Sequence, residues 1–225
     1  AVPYVELGGA AGSDIRMSSA LPEARTIYEN AALLGRKLSL LSDCVFIGES
    51  IAGGTTTALA VLRALGYDAG VSSSFQSNPT ALKQRVVAEA FERAGITKGS
   101  LKNDPLRAVE QVGDPMMPAA LGLMQGLQGC RVVLAGGTQM AAVLALGKAL
   151  KIEGDISIAT TKYIVEDKTA NFKEIVQSVG RTYYCSDPGL ENSRIPPVQI
   201  YAQGYVKEGV GMGGAALLAG LYGFS

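Results

Sequence analysis

Apolar and polar positions along the chain fall into two kinds of segment. From Pro22 to Leu41, Ala24, Ile27, Tyr28, Ala31, Leu34, Leu38 and Leu41 recur at helical spacing opposite Glu23, Arg25, Glu29, Arg36 and Lys37. This is the stripe of a helix that covers a core with one face. Elsewhere a short apolar run turns through glycine into a helical pattern. CVFIGE (44–49) leads into SIAGGTTTALAVLRALG, where Ala58, Val61, Leu62 and Leu65 keep helical spacing before Gly66 stops the helix. RVVLAGGTQ (131–139) leads into MAAVLALGKAL, with Ala135-Gly-Gly-Thr138 echoing Ala52-Gly-Gly-Thr55, and VQIYAQGYVKE (198–208) leads into GVGMGGAALLAGLYG. Each unit reads as strand, turn, helix. Further strands are predicted at DISIATT (155–161) and RTYYCS (181–186), and PYVEL near the start is strand-like.

Asn78-Pro79, Asp104-Pro105 and Asp114-Pro115 each set an N-capping side chain ahead of a proline at the first helical position, so helices are predicted from about 79, 105 and 115. Apolar runs alternating with helices predict an α/β fold, a doubly wound, mainly parallel sheet with helices on both faces in the Rossmann-like manner. The 28 glycines collect at strand-to-helix turns rather than in a linker, so residues 1–225 read as one domain.

Composition changes the picture mainly by exclusion. The 225 residues are 48% hydrophobic and 18% charged, with 20 basic against 20 acidic side chains, so neither nucleic acid nor a membrane surface is an expected partner. Histidine is absent, which removes Ser-His-Asp triads, Cys-His pairs and HExxH zinc sites and leaves acid–base work to carboxylates, Lys, Tyr or Cys. Cys44, Cys130 and Cys185 form no CxxC pair and sit in apolar or aromatic runs, which predicts a reducing cytosol with all three in the core. The run VVLAGGTQMAAVLALG (132–147) is shorter than a membrane span and interrupted by Gly-Gly-Thr-Gln. The chain opens at Ala1 rather than Met, as the later part of a longer protein would.

Gly48-Glu-Ser-Ile-Ala-Gly53-Gly-Thr55 has the glycine spacing of a Walker A loop without its lysine, which disfavours a nucleoside triphosphatase. Small residues, the hydroxyls of Thr55, Thr56 and Thr57 and a helix N-terminus suit a single phosphate or carboxylate, or else only close helix–sheet packing. Gly209-Val-Gly211-Met-Gly-Gly214 fits GxGxxG, yet the sequence given has no room for the acidic ribose partner about 20 residues on. Glu208 directly precedes that turn as Glu49 precedes the first one. Ligands of parallel sheets bind beyond the carboxyl ends of the strands, so both acids are candidates to face one crevice and divide acid–base labour; the alternative is two solvated glutamates. The polar loop at residues 72–79 feeds a helix carrying Lys83 and Arg85, and Glu166-Asp-Lys168 reads as a solvated turn.

Taken together, GESIAGGTTTALAVLRALG, SSSFQSNPTALKQRVV, GDPMMPAALGLMQG, RVVLAGGTQMAAVLALGKAL and VKEGVGMGGAALL resemble, in order and spacing over most of residues 44–220, the nicotinate-nucleotide:dimethylbenzimidazole phosphoribosyltransferase family, and more closely its divergent archaeal and cyanobacterial-type branch. The resemblance implies a cytoplasmic homodimer of which this chain is the carboxyl-terminal majority. It implies a transfer of ribose 5-phosphate from nicotinate mononucleotide to a benzimidazole-like base, with inversion at the anomeric carbon, giving α-ribazole 5′-phosphate for the lower ligand of cobamides. No metal or cofactor is implied. The family's catalytic glutamate falls on Glu208 and its second acidic position on Glu49. Its substrate- and phosphate-binding positions fall on Gly53, Gly54, Thr55, Thr56 and Lys83, with Gly136, Gly137, Thr138, Gly209 and Gly211 in the neighbouring turns.

Two departures fall on the cleft. Most bacterial members have Asp-Gly-Phe where this chain has Ala135-Gly136-Gly137, and an Arg-Gly-Thr-Gly-like loop where it has Ser73-Ser-Phe-Gln-Ser77. The competing readings are a catalytically silent nucleotide or phosphate binder on the same fold and a dinucleotide-dependent oxidoreductase, the latter disfavoured by the missing ribose acid.

Overall fold

The computed structural model describes residues 2–224. Strands β1 (Cys44–Gly48), β2 (Arg131–Ala135), β3 (Ile156–Thr161) and β4 (Tyr183–Ser186) lie parallel and side by side in that order. Every residue of β3 is buried, as is all of β2 except Arg131, whereas the edge strands β1 and β4 are largely open. A strand with neighbours on both sides and helices on both faces has no wet position, which is why β2 is apolar after Arg131 and why even Ser157, Thr160 and Thr161 of β3 are buried.

Helix α1 (Ala24–Leu38) precedes the sheet. Between β1 and β2 come α2 (Gly54–Leu65), α3 (Thr80–Ala94), α4 (Pro105–Val112) and α5 (Met116–Gly126). Helix α6 (Thr138–Ala149) joins β2 to β3, and α7 (Lys162–Val165) and α8 (Phe172–Val179) join β3 to β4. After β4 follow α9 (Pro196–Gln199) and α10 (Met212–Leu221). Helices α2, α6 and α8 pack on one another over Ile47, Val132, Leu134 and Ile158, the centre of the core, and α10 crosses all four strands from the other side. The expected parallel α/β sheet with helices on both faces is therefore present. Its strands run in sequence order without reversal among the described residues, so α10 rather than a crossover helix covers the second face.

Some expectations need correcting. The segment 198–208, expected as a strand, is the end of α9, a 3₁₀ turn over Ile200–Gln203 and a left-handed turn. Pro196 and Pro197 preset helical φ at its start, and proline favours a helix's first turn over a ladder that needs its N–H. PYVEL is irregular and mostly exposed. Cys130 is buried, but Cys44 and Cys185 lie on the two edge strands and are exposed. The helices after the three Asx-Pro pairs begin at Thr80, Pro105 and Met116. Asp104 and Asp114 cap as expected, but Asn78 spends its side chain on Val71 O and Thr169.

What brings α10 onto the sheet is the loss of side chains. Gly48 and Ala135 end β1 and β2 and stand in register with Ala159, two residues before the end of β3. A Cβ on Gly213 would lie 2.4 Å from the Thr160 backbone, and one on Gly214 2.4 Å from Ala135 Cβ. Gly213→Ala is therefore expected to cost about 1–3 kcal/mol in chemical denaturation, the usual penalty for overpacking. Gly220→Ala, in the same helix with nothing within 4 Å of the new Cβ, is expected to be neutral or stabilising by up to about 1 kcal/mol through helix propensity.

Candidate active site

The carboxyl ends of β1 and β2 open into a cleft of about 810 Å³. Its walls come from residues 12–16, the turn at 49–57, the serine loop at 72–75, residues 113–115 and the turn at 206–210. Among the sequence candidates, Glu49, Gly53, Gly54, Thr55, Thr56, Lys83, Gly137, Glu208 and Gly209 line it, whereas Gly136, Thr138 and Gly211 do not. Thr138 is fully buried and its hydroxyl holds Ser72. Gly211 has φ 82° and packs against Gly48 Cα, and a Cβ on Gly136 would strike Met140 Cγ.

Gly53, at φ 73°, turns the chain into α2 and leaves the first backbone N–H groups of that helix at the cleft beside Thr55 and Thr56. Glu49 follows β1 directly and accepts from Gln139 Nε2 at 3.0 Å. Burial above all pushes its carboxyl up to about 7, and the charge of Glu208 adds to this. Glu208 receives Gly213 N at 3.0 and 3.2 Å and the Thr160 hydroxyl at 3.4 Å. Burial raises Glu208 above the usual carboxylate range, against hydrogen bonds from Gly213, Thr161, Thr160 and Gly209 that favour its charge.

The backbone around Glu208 is strained. Val206, Lys207 and Val210 have φ of 60°, 59° and 46°, a region that costs β-branched residues most. Lys207 holds this turn in place. Its Nζ pairs with Asp167 at 3.0 Å and donates to Ser73 O at 3.1 Å, while its carbonyl accepts from the Thr161 hydroxyl. Lys83 Nζ donates to Ser72 O at 2.6 Å and to Asn78 Oδ1 at 2.9 Å, so its charge is spent on the serine loop. Burial and the nearby Lys207 lower it to about 8.

Sequence reasoning missed Asp114, Gln139 and Lys207 as site residues. Asp114 read as a helix cap and Gln139 as the end of a strand-to-helix turn. A separate, more open groove of about 680 Å³ beside Tyr67 and Phe91 brings no acids together comparable to these.

No family model matches the chain. It is 49% identical over 228 residues to the UPF0284 protein of Methanosarcina mazei, covering all of this chain and 65% of that one. Against the UPF0284 protein of Thermococcus kodakarensis the identity is 50% over 228 residues, covering all of this chain and 67% of the relative. The chain belongs to the UPF0284 family. It thus spans about two thirds of the length of these relatives. Two crystal structures from Thermus thermophilus, one of nicotinate-nucleotide-dimethylbenzimidazole phosphoribosyltransferase and one of CobT, share the fold of this UPF0284 chain at TM-scores of 0.55 and 0.57. Identity is 16% and 17%, over 91% of this chain and 62% and 63% of theirs.

A carboxyl group whose folded pKa is raised adds stability while it is protonated and loses that contribution as pH climbs from the unfolded value through the folded one. For Glu49 this interval runs from 4.5 to about 7. Glu49→Gln is neutral throughout, so it is expected to melt a few degrees above the wild type at pH 8 and to lose that advantage near pH 5. About 1 kcal/mol moves a domain of this size by roughly 2–4 °C, and scanning calorimetry at the two pH values reads the difference.

Proposed function

We propose that this chain carries the catalytic centre of a phosphoribosyltransferase that moves ribose 5-phosphate from nicotinate mononucleotide to a benzimidazole-like base, releasing nicotinate and forming α-ribazole 5′-phosphate. The observation that supports it best is the convergence of Glu49, Glu208 and the start of α2 on one cleft from separate parts of the chain. In this reading Gly53, Gly54, Thr55 and Thr56 take the phosphate through N–H groups and hydroxyls at the positive end of α2. Gly137 and Gly209 let backbone approach the ribose, Lys83 acts through the serine loop it holds, and Gly136, Thr138 and Gly211 shape the turns behind. The shared fold and the residue-level resemblance support the same assignment, and a cytoplasmic homodimer belongs to it.

The chemistry asks for a base and an anion-tolerant pocket. The azole nitrogen gives its electron pair to the anomeric carbon as the bond to the pyridinium nitrogen breaks and its pair returns to the ring, leaving free nicotinate. The proton on the azole's other nitrogen passes to Glu208, which the cleft shields from water and the Gly213 N–H orients. Glu49, hydrogen-bonded to Gln139, faces the sugar from the opposite turn.

In the full-length protein Glu208→Gln keeps shape and removes the proton acceptor, so turnover is expected to fall roughly 10²–10⁴-fold with nicotinate mononucleotide affinity held within a fewfold. Wild-type turnover in single-turnover assays across the pH profile would move the base elsewhere, and no ribotide from any benzimidazole would leave the silent-binder reading standing. Nicotinate riboside, lacking the phosphate, is expected to bind at least tenfold more weakly in calorimetry; equal affinity would take the phosphate away from the α2 turn.

A further inference from the structure

The proton count around Asp114 does not close if that residue is ionised. Asp114 is 5% exposed. Its Oδ1 accepts from Met116 N at 3.1 Å and Met117 N at 3.3 Å, and its Oδ2 lies in hydrogen-bond contact with the Thr57 hydroxyl. That hydroxyl also lies 2.9 Å from Gly54 O. A threonine has one hydroxyl proton, and a carbonyl and a carboxylate can both only accept. With Asp114 charged, one of the two must therefore face an oxygen lone pair across this contact. With Asp114 neutral, Oδ2–H donates to Thr57, Thr57 donates to Gly54 O, and Oδ1 accepts both amides.

The rest of the cleft gives this proton a purpose. Its acidic walls are Asp14, Glu49, Asp114 and Glu208, and its cations are Arg16 and Lys83. Arg16 is forked onto Asp14, and Lys83 is turned onto Ser72 O and Asn78 Oδ1. On the adjoining side Arg93 of α3 is committed to Ile15 O and Gln111. An incoming phosphate thus meets acids whose cations are occupied, and Thr57 and Asp114 lie directly beneath the α2 turn.

We propose that Asp114 is a neutral carboxylic acid in the native protein, donating its proton to Thr57, and that this proton lets an anionic substrate settle at the start of α2. The second half rests on the phosphate-binding reading above. Burial raises the Asp114 carboxyl, against the hydrogen bonds from Thr57, Met117 and Met116 that favour its charge. The same arrangement makes anion binding proton-linked, with affinity falling as pH rises and Asp114 and Glu49 ionise.

Infrared difference spectroscopy on the full-length protein tests the proton without any ligand. On the Glu49→Gln background at pH 7, where Glu49 cannot contribute, a protonated carboxylic acid C=O band is expected that is lost on adding Asp114→Asn and shifted but still present on adding Thr57→Val, where the proton loses its acceptor. A spectrum in which neither Asp114→Asn nor Thr57→Val alters such a band overturns the proposal. Calorimetry with nicotinate mononucleotide tests the purpose, on the Glu49→Gln background so that only Asp114 and Glu208 titrate among the buried acids. Asp114→Asn is expected to bind within about twofold of its Glu49→Gln parent at pH 6.5 and to lose less affinity than the parent by pH 9. A tenfold loss at pH 6.5, or equal pH dependence in the two, overturns it. Absence of binding at every pH in all variants would instead remove the phosphate reading and the proton's role with it, while the infrared result still decides the state of Asp114.

Discussion

The architecture turns on one close approach. The glycines that begin α10 press against the carboxyl ends of the strands with no Cβ between them, Gly213 on Thr160, Gly214 on Ala135 and Gly211 on Gly48. Because the row opposite is Gly48, Ala135 and Ala159, the helix sinks to backbone contact. Glu208, which precedes this helix, is thereby carried to the strand ends and to the same cleft as Glu49. Any side chain at the contact would lift α10 and separate the two acids, so fold and site rest on the same few absent atoms.

The left-handed turn at residues 206–210 follows from that approach. A chain returning from α9 must reverse sharply to enter α10, and Val206 and Lys207 take positive φ to do so. Such strain persists where neighbours over-determine it. Here the Lys207–Asp167 pair, the bond from Lys207 to Ser73 O and the Thr161 hydroxyl supply the restraint. The side chains of this pair are about nine-tenths or more buried, and a pair so buried matters for where it holds the chain more than for net stability. It ties the turn bearing Glu208 to the serine loop, which Lys83 secures from the other side, so the wall of the cleft and one of its acids are set together.

Electrostatics distinguish this cleft from an ordinary anion site. Burial, with the charge of Glu208, raises Glu49 to about 7, burial alone raises Glu208 above its usual range, and the cations nearby serve loops. In the proposed reading a phosphate would draw on a helix terminus and hydroxyls rather than on lysine, in keeping with a Walker-like spacing that lacks its lysine. The cationic pyridinium of the proposed donor also suits acidic walls better than a purely anionic substrate would.

By itself, the sequence determined the local elements and one set of candidates. Periodicity found α1, α2, α6 and strands β1 to β4, because a buried strand and an amphipathic helix each leave a mark within a few residues. Asx-Pro pairs located the starts of α3, α4 and α5. Glu49 and Glu208 were legible because each adjoins a glycine turn. Tertiary structure decided what depends on partners distant in the chain. The apolar run at 198–208 became helix and strained turn because two prolines and the descent into α10 outweighed its pattern, and two cysteines were exposed because their strands are edges. Asp114 looked like a cap and is one, yet only the meeting of its second oxygen with Thr57, 57 residues away, makes it an acid with a proton to keep. Hydrogen-bond arithmetic needs both partners in place, and a linear pattern supplies only one at a time.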